Sequence, residues 1–216
     1  PLVGAICPAR IGLTTGDNPR FCRSIWEVNG ALIYESGGHH PWVPLIHGAK
    51  GSKWFDPTGT IVKWYFHGGE VKLKSEYQYG TVSKQIRNEE YYFKKGIAFS
   101  AIGNDFVVRA HRMHGVFSNA GLSLFPTDVA ATVATLATSA ATRIVNEIAP
   151  GIRFDVGDIN RIPVFSVDLG DQILKDLNGP FTLHESHREP SVEYRHPGSS
   201  PWRHAQDWAQ LAVDRP

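Results

Sequence analysis

The alternation of apolar and polar positions changes character near residue 126. Before it, short runs rich in β-branched and aromatic residues are bounded by glycine or charged turns, as in Ile61-Val-Lys-Trp-Tyr-Phe66 and Ile97-Ala-Phe-Ser-Ala-Ile102. That pattern is the signature of strands. His67-Gly-Gly-Glu70 reads as a hairpin connection between Phe66 and Val71, and Asp56-Pro-Thr-Gly59 as a turn. The first 125 residues are expected to be mainly antiparallel β.

After Pro126 the period lengthens. Ser139 can cap a helix running to about Ile148, with Ile144, Val145 and Ile148 as its apolar stripe and Pro150-Gly151 as its stop. Val129 to Leu136 is open to two readings: its β-branched content favours a strand, whereas Val129, Val133 and Leu136 fall at helical spacing. A second amphipathic stretch begins at Asp168, uses Ile173, Leu174 and Leu177, and ends at Asn178-Gly179. A third opens with Ser200 as cap and Pro201 in the first turn, and continues through Trp202, Ala205, Trp208 and Leu211. The polar run from Glu185 to Pro201 reads as a linker or arm. The expected class is α+β, strands first and helices later. One unit is expected over residues 1–166, followed by a helical extension with its polar linker over 167–216.

The 216 residues, 42% of them hydrophobic, suffice for a proper core. Threonines and charges interrupt the most apolar stretch, 129–148, well short of the ~20 apolar residues a membrane helix needs, so no membrane partner is expected. The chain begins at Pro1 without a signal-like segment and reads as part of a longer polypeptide. Two cysteines, Cys7 and Cys22, make a reducing cytoplasm the default.

The net charge of +1 conceals an asymmetry. Residues 47–112 carry eleven Lys and Arg against six acidic residues, whereas 121–185 carry four against eight. The basic segment interleaves its cations with Trp54, Trp64, Tyr65, Tyr77, Tyr79, Tyr91 and Tyr92, a mixture suited to neutralising phosphates beside flat surfaces. A solvated strand face with inward aromatics would give the same composition. Trp26, Trp54 and Trp64 are expected to pack in the core or anchor loops.

Several motifs are explained without catalysis. His111-Arg-Met-His114 and His184-Glu-Ser-His187 lack the i, i+4 histidine pair of zinc helices, so no metal is expected. No Gly-x-Ser-x-Gly elbow is present. The glycine pairs at 37–38 and 68–69 read as turns. Asn178-Gly-Pro-Phe181 lacks the first proline of the Asn-Pro-Pro-aromatic signature of amino-methylating enzymes, and a helix stop accounts for it. By contrast, Gly12-Leu-Thr-Thr-Gly-Asp-Asn-Pro-Arg-Phe21, followed by Trp26-Glu-Val28, is dense in special residues. An ordered turn explains its Gly, Asp and Asn but leaves Arg20 and Arg23 without a role.

These residues resemble a known family. The 12–21 loop with Trp26-Glu-Val28, Lys50-Gly51 with Lys53-Trp54-Phe55, and Val62-x-Trp64 look like successive blocks of one domain. So do Arg87-Asn88 with Tyr92-Phe-Lys94, Gly96-Ile97 with Ser100, and Phe117 with 121–125. The last blocks are Phe154-x-Val-Gly-Asp-Ile159 and Ile162-Pro-Val164. The domain is the target-recognition, or specificity, domain of adenine-N6 DNA methyltransferases of the TaqI and Eco57I type, nearest to those of BREX phage-exclusion systems. The likeness covers about residues 4–166. Relatives often carry Lys-Gly-Gly where this chain has Lys50-Gly51-Ser52, and an Asn where it has Thr138 before the late helix.

The resemblance implies that a separate catalytic domain of the same parent chain binds S-adenosylmethionine and methylates a flipped adenine. This segment, which lacks the cofactor loop and the methylating motif, would itself bind no cofactor. Its implied partner is double-stranded DNA, because a flipped base requires a second module to hold the duplex by phosphates and read base edges. The candidate DNA-binding residues are Thr15, Asn18, Arg20, Arg23, Lys50, Lys53, Lys84, Gln85, Arg87, Asn88, Lys94 and Lys95. Arg and Lys suit guanine edges and phosphates, Asn and Gln suit adenine. A protein- or carbohydrate-binding β module remains the alternative, and a hydrolase using His111 or His187 has the least support.

Overall fold

The computed structural model describes residues 1–35, 40–48, 52–57, 59–165, 167, 169–191 and 193–215. In chain order these form α1 (Val3–Ile6), α2 (Asn18–Phe21), β1 (Cys22–Ser24), β2 (Trp42–Ile46), β3 (Trp54–Phe55), β4 (Thr60–Lys63) and α3 (Tyr65–Tyr79). They continue with β5 (Ile97–Ser100), β6 (Val108–Ala110), β7 (Val116–Phe117), β8 (Gly121–Leu124), α4 (Val129–Leu136), α5 (Ser139–Ile148), α6 (Val156–Ile159), α7 (Gly170–His187) and α8 (Trp202–Val213). The class is α+β, as expected.

The strands form two four-stranded sheets. One runs β1-β4-β2-β7 and the other β3-β6-β5-β8, with β2/β7 and β3/β6 parallel and the remaining pairs antiparallel. Side-chain alternation in the second sheet sets the layering. Ile97, Phe99, Val108, Ala110, Leu122 and Leu124 join a core that includes Val133, Val145, Ile173, Leu177 and Val213 of the late helices. The opposite face presents Ala98, Arg109 and Ser123, all fully buried. Ala98 packs into a second core with Val43, Leu45 and Val62 of the first sheet. The second sheet is therefore covered on both faces, by helices on one and by the first sheet on the other.

A row of rings runs through that second core. Trp64 meets Tyr92 at 5.4 Å between centroids, Tyr92 meets Phe117 at 5.3 Å, Phe117 meets Phe125 at 5.1 Å, and Phe125 meets Tyr91 at 5.0 Å. Edge-to-face and tilted contacts of this kind add to the burial of the rings themselves.

Three expectations are corrected. The run 61–66 is strand only to Lys63, and 67–70 is no hairpin. Phe66, His67 and Gly68 turn in the left-handed region (φ 51°, 55° and 73°) and lead into a helix ending at Gly80, whose N–H donates to Glu76 O. Val71 and Ser75, one turn apart, bury against the body and make helix the better solution there. Glycine is required at 68 twice over: its φ is positive, and a Cβ would lie 2.8 Å from the Trp64 ring. Secondly, Asn178-Gly179 does not end α7, because Phe181 beyond it is buried between Phe55 and Trp202. Thirdly, the 185–201 run is fastened rather than free, since Glu185 is buried and paired with Arg188, and Glu193 pairs with Arg112. Trp54 and Trp64 lie in the core as expected, but Trp26 is 62% exposed.

The stretch 129–136 resolves as helix, capped by Asp128, which accepts from Ala131 N–H at 2.9 Å. Thr138, and not the expected Ser139, caps α5: its hydroxyl oxygen accepts from Ala141 N–H at 3.1 Å. Asp168 and the glycine pair 37–38 lie outside the described residues.

Candidate nucleic-acid interface

The 12–21 loop is built from its backbone. Leu13 N–H donates to Phe117 O and Asn119 N–H to Leu13 O, at 2.8 and 3.0 Å, so the chain enters alongside β7. Thr14 N–H then donates to Gln85 O at 2.8 Å. Gly16 turns with φ +65°, and Asp17 caps α2 by accepting from Arg20 N–H at 3.2 Å. Lys74 of α3 closes the loop from outside, donating to Thr15 O at 3.2 Å. Gly12 permits the entry, because a Cβ there would fall 1.9 Å from Phe117 O. Gly12→Ala is accordingly expected to cost about 3 kcal/mol through backbone displacement, read as a lowered Tm in thermal unfolding.

A second loop, residues 81–95, lies against the first. Asn88 sits in the left-handed region (φ 51°), where Asn is tolerated better than most residues, and its amide donates to Ile11 O at 2.9 Å. A short turn over Glu89–Tyr91 follows, and Phe93 (φ 63°) donates its N–H to Gly115 O at 2.8 Å. Ile86 and Tyr92 are buried beneath, which leaves Lys84, Arg87, Lys94 and Lys95 facing solvent.

The structure sorts the twelve candidates. Thr15 and Gln85 are buried at 5% and 2% exposure, so neither presents its side chain to a ligand. Thr15 donates to Asn18 Oδ1 and accepts from Asp17 N–H, while Gln85 lies under Gly16. Thr15 thus braces its own loop, while Gln85 and Asn88 tie the second loop to the first. Arg20 is spent on Glu70 Oε1, with Nε at 3.0 Å and Nη2 at 2.6 Å. Arg23 Nη1 donates to Pro19 O and Cys22 O. Asn18 is exposed beside an open polar cleft of about 550 Å³ lined by residues 14–19 and Asn119. Lys53 lines a different cleft, with Ser100 and residues 102–105. Lys84, Arg87, Lys94 and Lys95 are exposed on the second loop, and Arg87 reaches only its own loop, Nη2 to Lys84 O at 3.4 Å. Lys50 lies outside the described residues.

Not all of the basic segment is surface charge. Arg109 is fully buried, with Nε 3.0 Å from Asp56 Oδ2, Nη1 3.2 Å from Ser100 Oγ and Nη2 3.2 Å from His47 O. Burial raises the Asp56 carboxyl above its usual value, and the Arg109 guanidinium opposes that rise. Lys63 pairs with Glu70, Lys72 with Glu89 and Arg112 with Glu193. Glu70 is held below the usual carboxylate range by hydrogen bonds from Lys63 and Arg20. Beneath the second loop, His111 contacts Lys94 O at 3.3 Å and Ser123 Oγ at 3.2 Å, and burial pushes its pKa down to about 4. It is a neutral core histidine. Sequence inspection passed over Arg10, which stands just before the first loop without turn residues beside it, and Asn119, which the Ser118–Gly121 turn brings to the cleft.

The face thus offers forked and point-charge donors with Asn amides on rigid loops, equipment for an anionic, hydrogen-bonding partner. Among the described residues no group of three or more His, Cys, Asp or Glu could hold a metal ion. No helix among them is long and apolar enough to cross a membrane. No family model matches the chain. The chain is 25% identical, over 169 residues, to an adenine-specific methyltransferase PglX of Lacticaseibacillus casei (strain Zhang). The match covers 74% of this chain and 14% of that protein, so the chain is a distant relative of a small part of a methyltransferase.

Proposed function

We propose that this chain is the DNA target-recognition module of an adenine-N6 DNA methyltransferase in a restriction or phage-defence system of the BREX kind. Its catalytic domain, elsewhere in the parent chain, would bind S-adenosylmethionine, and the whole would act in the cytoplasm. The observation that carries the reading is the lacing of the 12–21 and 81–95 loops into one face, joined to the likeness to PglX. A base flipped for methylation leaves a duplex that must be gripped by phosphates and read at its edges. Lys84, Lys94 and Lys95 suit the grip, and Arg87 and Asn18 project from turns stiff enough to enter a groove.

Arg87→Ala, placed in the full-length enzyme, is expected to cost about 1–3 kcal/mol at one base position and relax the methylated word there. Arg20→Ala should leave the word intact and lower stability by no more than about 1 kcal/mol, since its exposed pair with Glu70 is a brace. Methylome sequencing of both variants, with melting curves, distinguishes them. An unchanged word and unchanged affinity for Arg87→Ala would refute base reading by this loop, and salt-insensitive binding to an oligosaccharide would favour a carbohydrate-binding module instead.

A further inference from the structure

We infer that Arg10 and Lys94, mounted on the ring of Tyr91, form a built site for a single phosphodiester group. The inference rests on the DNA-binding reading and adds a defined contact to it. Arg10 Cζ stands 5.0 Å from the Tyr91 ring centroid, and its Nη2 is 3.3 Å from the Tyr91 hydroxyl oxygen. Lys94 Nζ stands 5.0 Å from the same centroid. Two cations thus share one ring.

The support beneath them is stiff. The Tyr91 ring packs on Phe125, and Phe125 on Phe117. The Arg10 backbone is bonded to Ser123 in both directions, at 2.8 and 3.0 Å, and the next residue, Ile11, accepts the Asn88 amide. Arg10 Nε is enclosed without an acceptor, so the outer edge of the guanidinium is the side left to a ligand.

Charge makes the same point. Among the described residues no carboxylate pairs with Arg10 or Lys94, and Glu89 in the intervening turn is taken by Lys72. Glu90, exposed in that turn, forms no ion pair with either among the described residues. Two positive charges without a carboxylate partner on one ring attract an oxyanion that comes within reach of both. A phosphate fits best, because the guanidinium fork can meet two of its oxygens while the ammonium acts as a point charge.

The test titrates the whole chain with a 20-base-pair duplex and, separately, with inorganic pyrophosphate, across a salt series. The variants are Arg10→Gln, Lys94→Gln, the double variant, and Lys175→Gln on α7 as control, with melting curves for each. Each phosphate contact contributes about 0.9 to the log–log salt slope, so affinity changes about 3.5-fold per contact for a fourfold change in salt. Arg10→Gln and Lys94→Gln should each flatten the slope by up to about one unit, and the double variant by about one rather than two, because both meet the same phosphate. Lys175→Gln should leave it alone. A double variant that loses two units would show independent surface charges and overturn the site. Duplex binding with unaltered slopes would overturn the site while leaving the target-recognition reading intact. If the chain binds no duplex but binds pyrophosphate in a manner abolished by Arg10→Gln, the site stands and the DNA reading falls. Binding of neither probe overturns the site. Should Arg10→Gln melt early, Arg10→Lys replaces it: it keeps the charge without the fork, and retained slope with weakened affinity is the expected result.

Discussion

Asp56→Ala is expected to lower the free energy of unfolding by about 3–5 kcal/mol, because it leaves the Arg109 guanidinium buried without its counter-charge. For a chain of this size that is a fall in Tm of roughly 10 °C. The pair sits between the two sheets, and Arg109 on β6 also holds His47 O and Ser100 Oγ. The double variant Asp56→Leu with Arg109→Met removes both charges and should recover most of the loss, since apolar replacements of a buried pair are often close to neutral. Circular dichroism melts of the two variants provide the comparison. A Tm within about 2 °C of the parent for Asp56→Ala alone would show the pair contributes no more than an exposed one.

Acid should destabilise the fold before its exposed carboxylates titrate. His111 has a folded-state pKa of about 4, lowered by burial, against an ordinary value of 6.5. Between those values the unfolded chain binds a proton that the folded chain refuses, so stability falls as pH drops from 6.5 towards 4 and is fully present above 6.5. The difference corresponds to a loss of about 3 kcal/mol. His47, also lowered by burial, adds in the same direction. Glu70 and Asp214, whose pKa values are lowered by hydrogen bonding, add a further loss only as pH falls through the carboxylate range. Urea midpoints measured from pH 7.5 to 4.5 report the His111 effect, and His111→Gln should be less stable at neutrality yet show a flatter pH limb. A limb of equal steepness in that variant would assign the acid sensitivity elsewhere. Because His111 contacts Lys94 O, the second loop should be among the first segments to loosen.

The parts of the fold legible in the sequence were those governed by local rules. The helix of residues 139–148 follows from its apolar stripe and terminating proline, although its cap is Thr138 one residue before the expected Ser139, and β5 follows from its β-branched and aromatic content. Where tertiary contacts decided, local rules failed. His67-Gly-Gly-Glu70 carries ordinary turn chemistry, but packing of Gly68 on Trp64 and burial of Val71 and Ser75 turned the chain into a helix. Asn178-Gly179-Pro180 carries helix-ending chemistry, yet Phe181 has its place between Phe55 and Trp202, and the helix runs on to reach it. The candidate site divides in the same way. Loop composition marked the two segments that meet, while pairings such as Arg20 with Glu70 or Asn88 with Ile11, 50 and 77 residues apart, leave no trace in spacing. Gln85 looked like a reader and proved to be a wedge under Gly16.

The row of rings from Trp64 to Tyr91 has a bearing on how such a chain can diverge. Its members hold the backbone of the second loop from below, and the outward side chains of Lys84 and Arg87 make no hydrogen bond or cation–ring contact with any of them. Substitution at those two positions is therefore nearly uncoupled from folding, as surface changes away from packing usually are. A lineage can pass through many combinations at 84 and 87 without an unfolded intermediate, so the outward chemistry of the loop can change while its mounting is kept. Exchange of residues 84 and 87 between distant relatives should be tolerated where exchange at 86 or 92 is not.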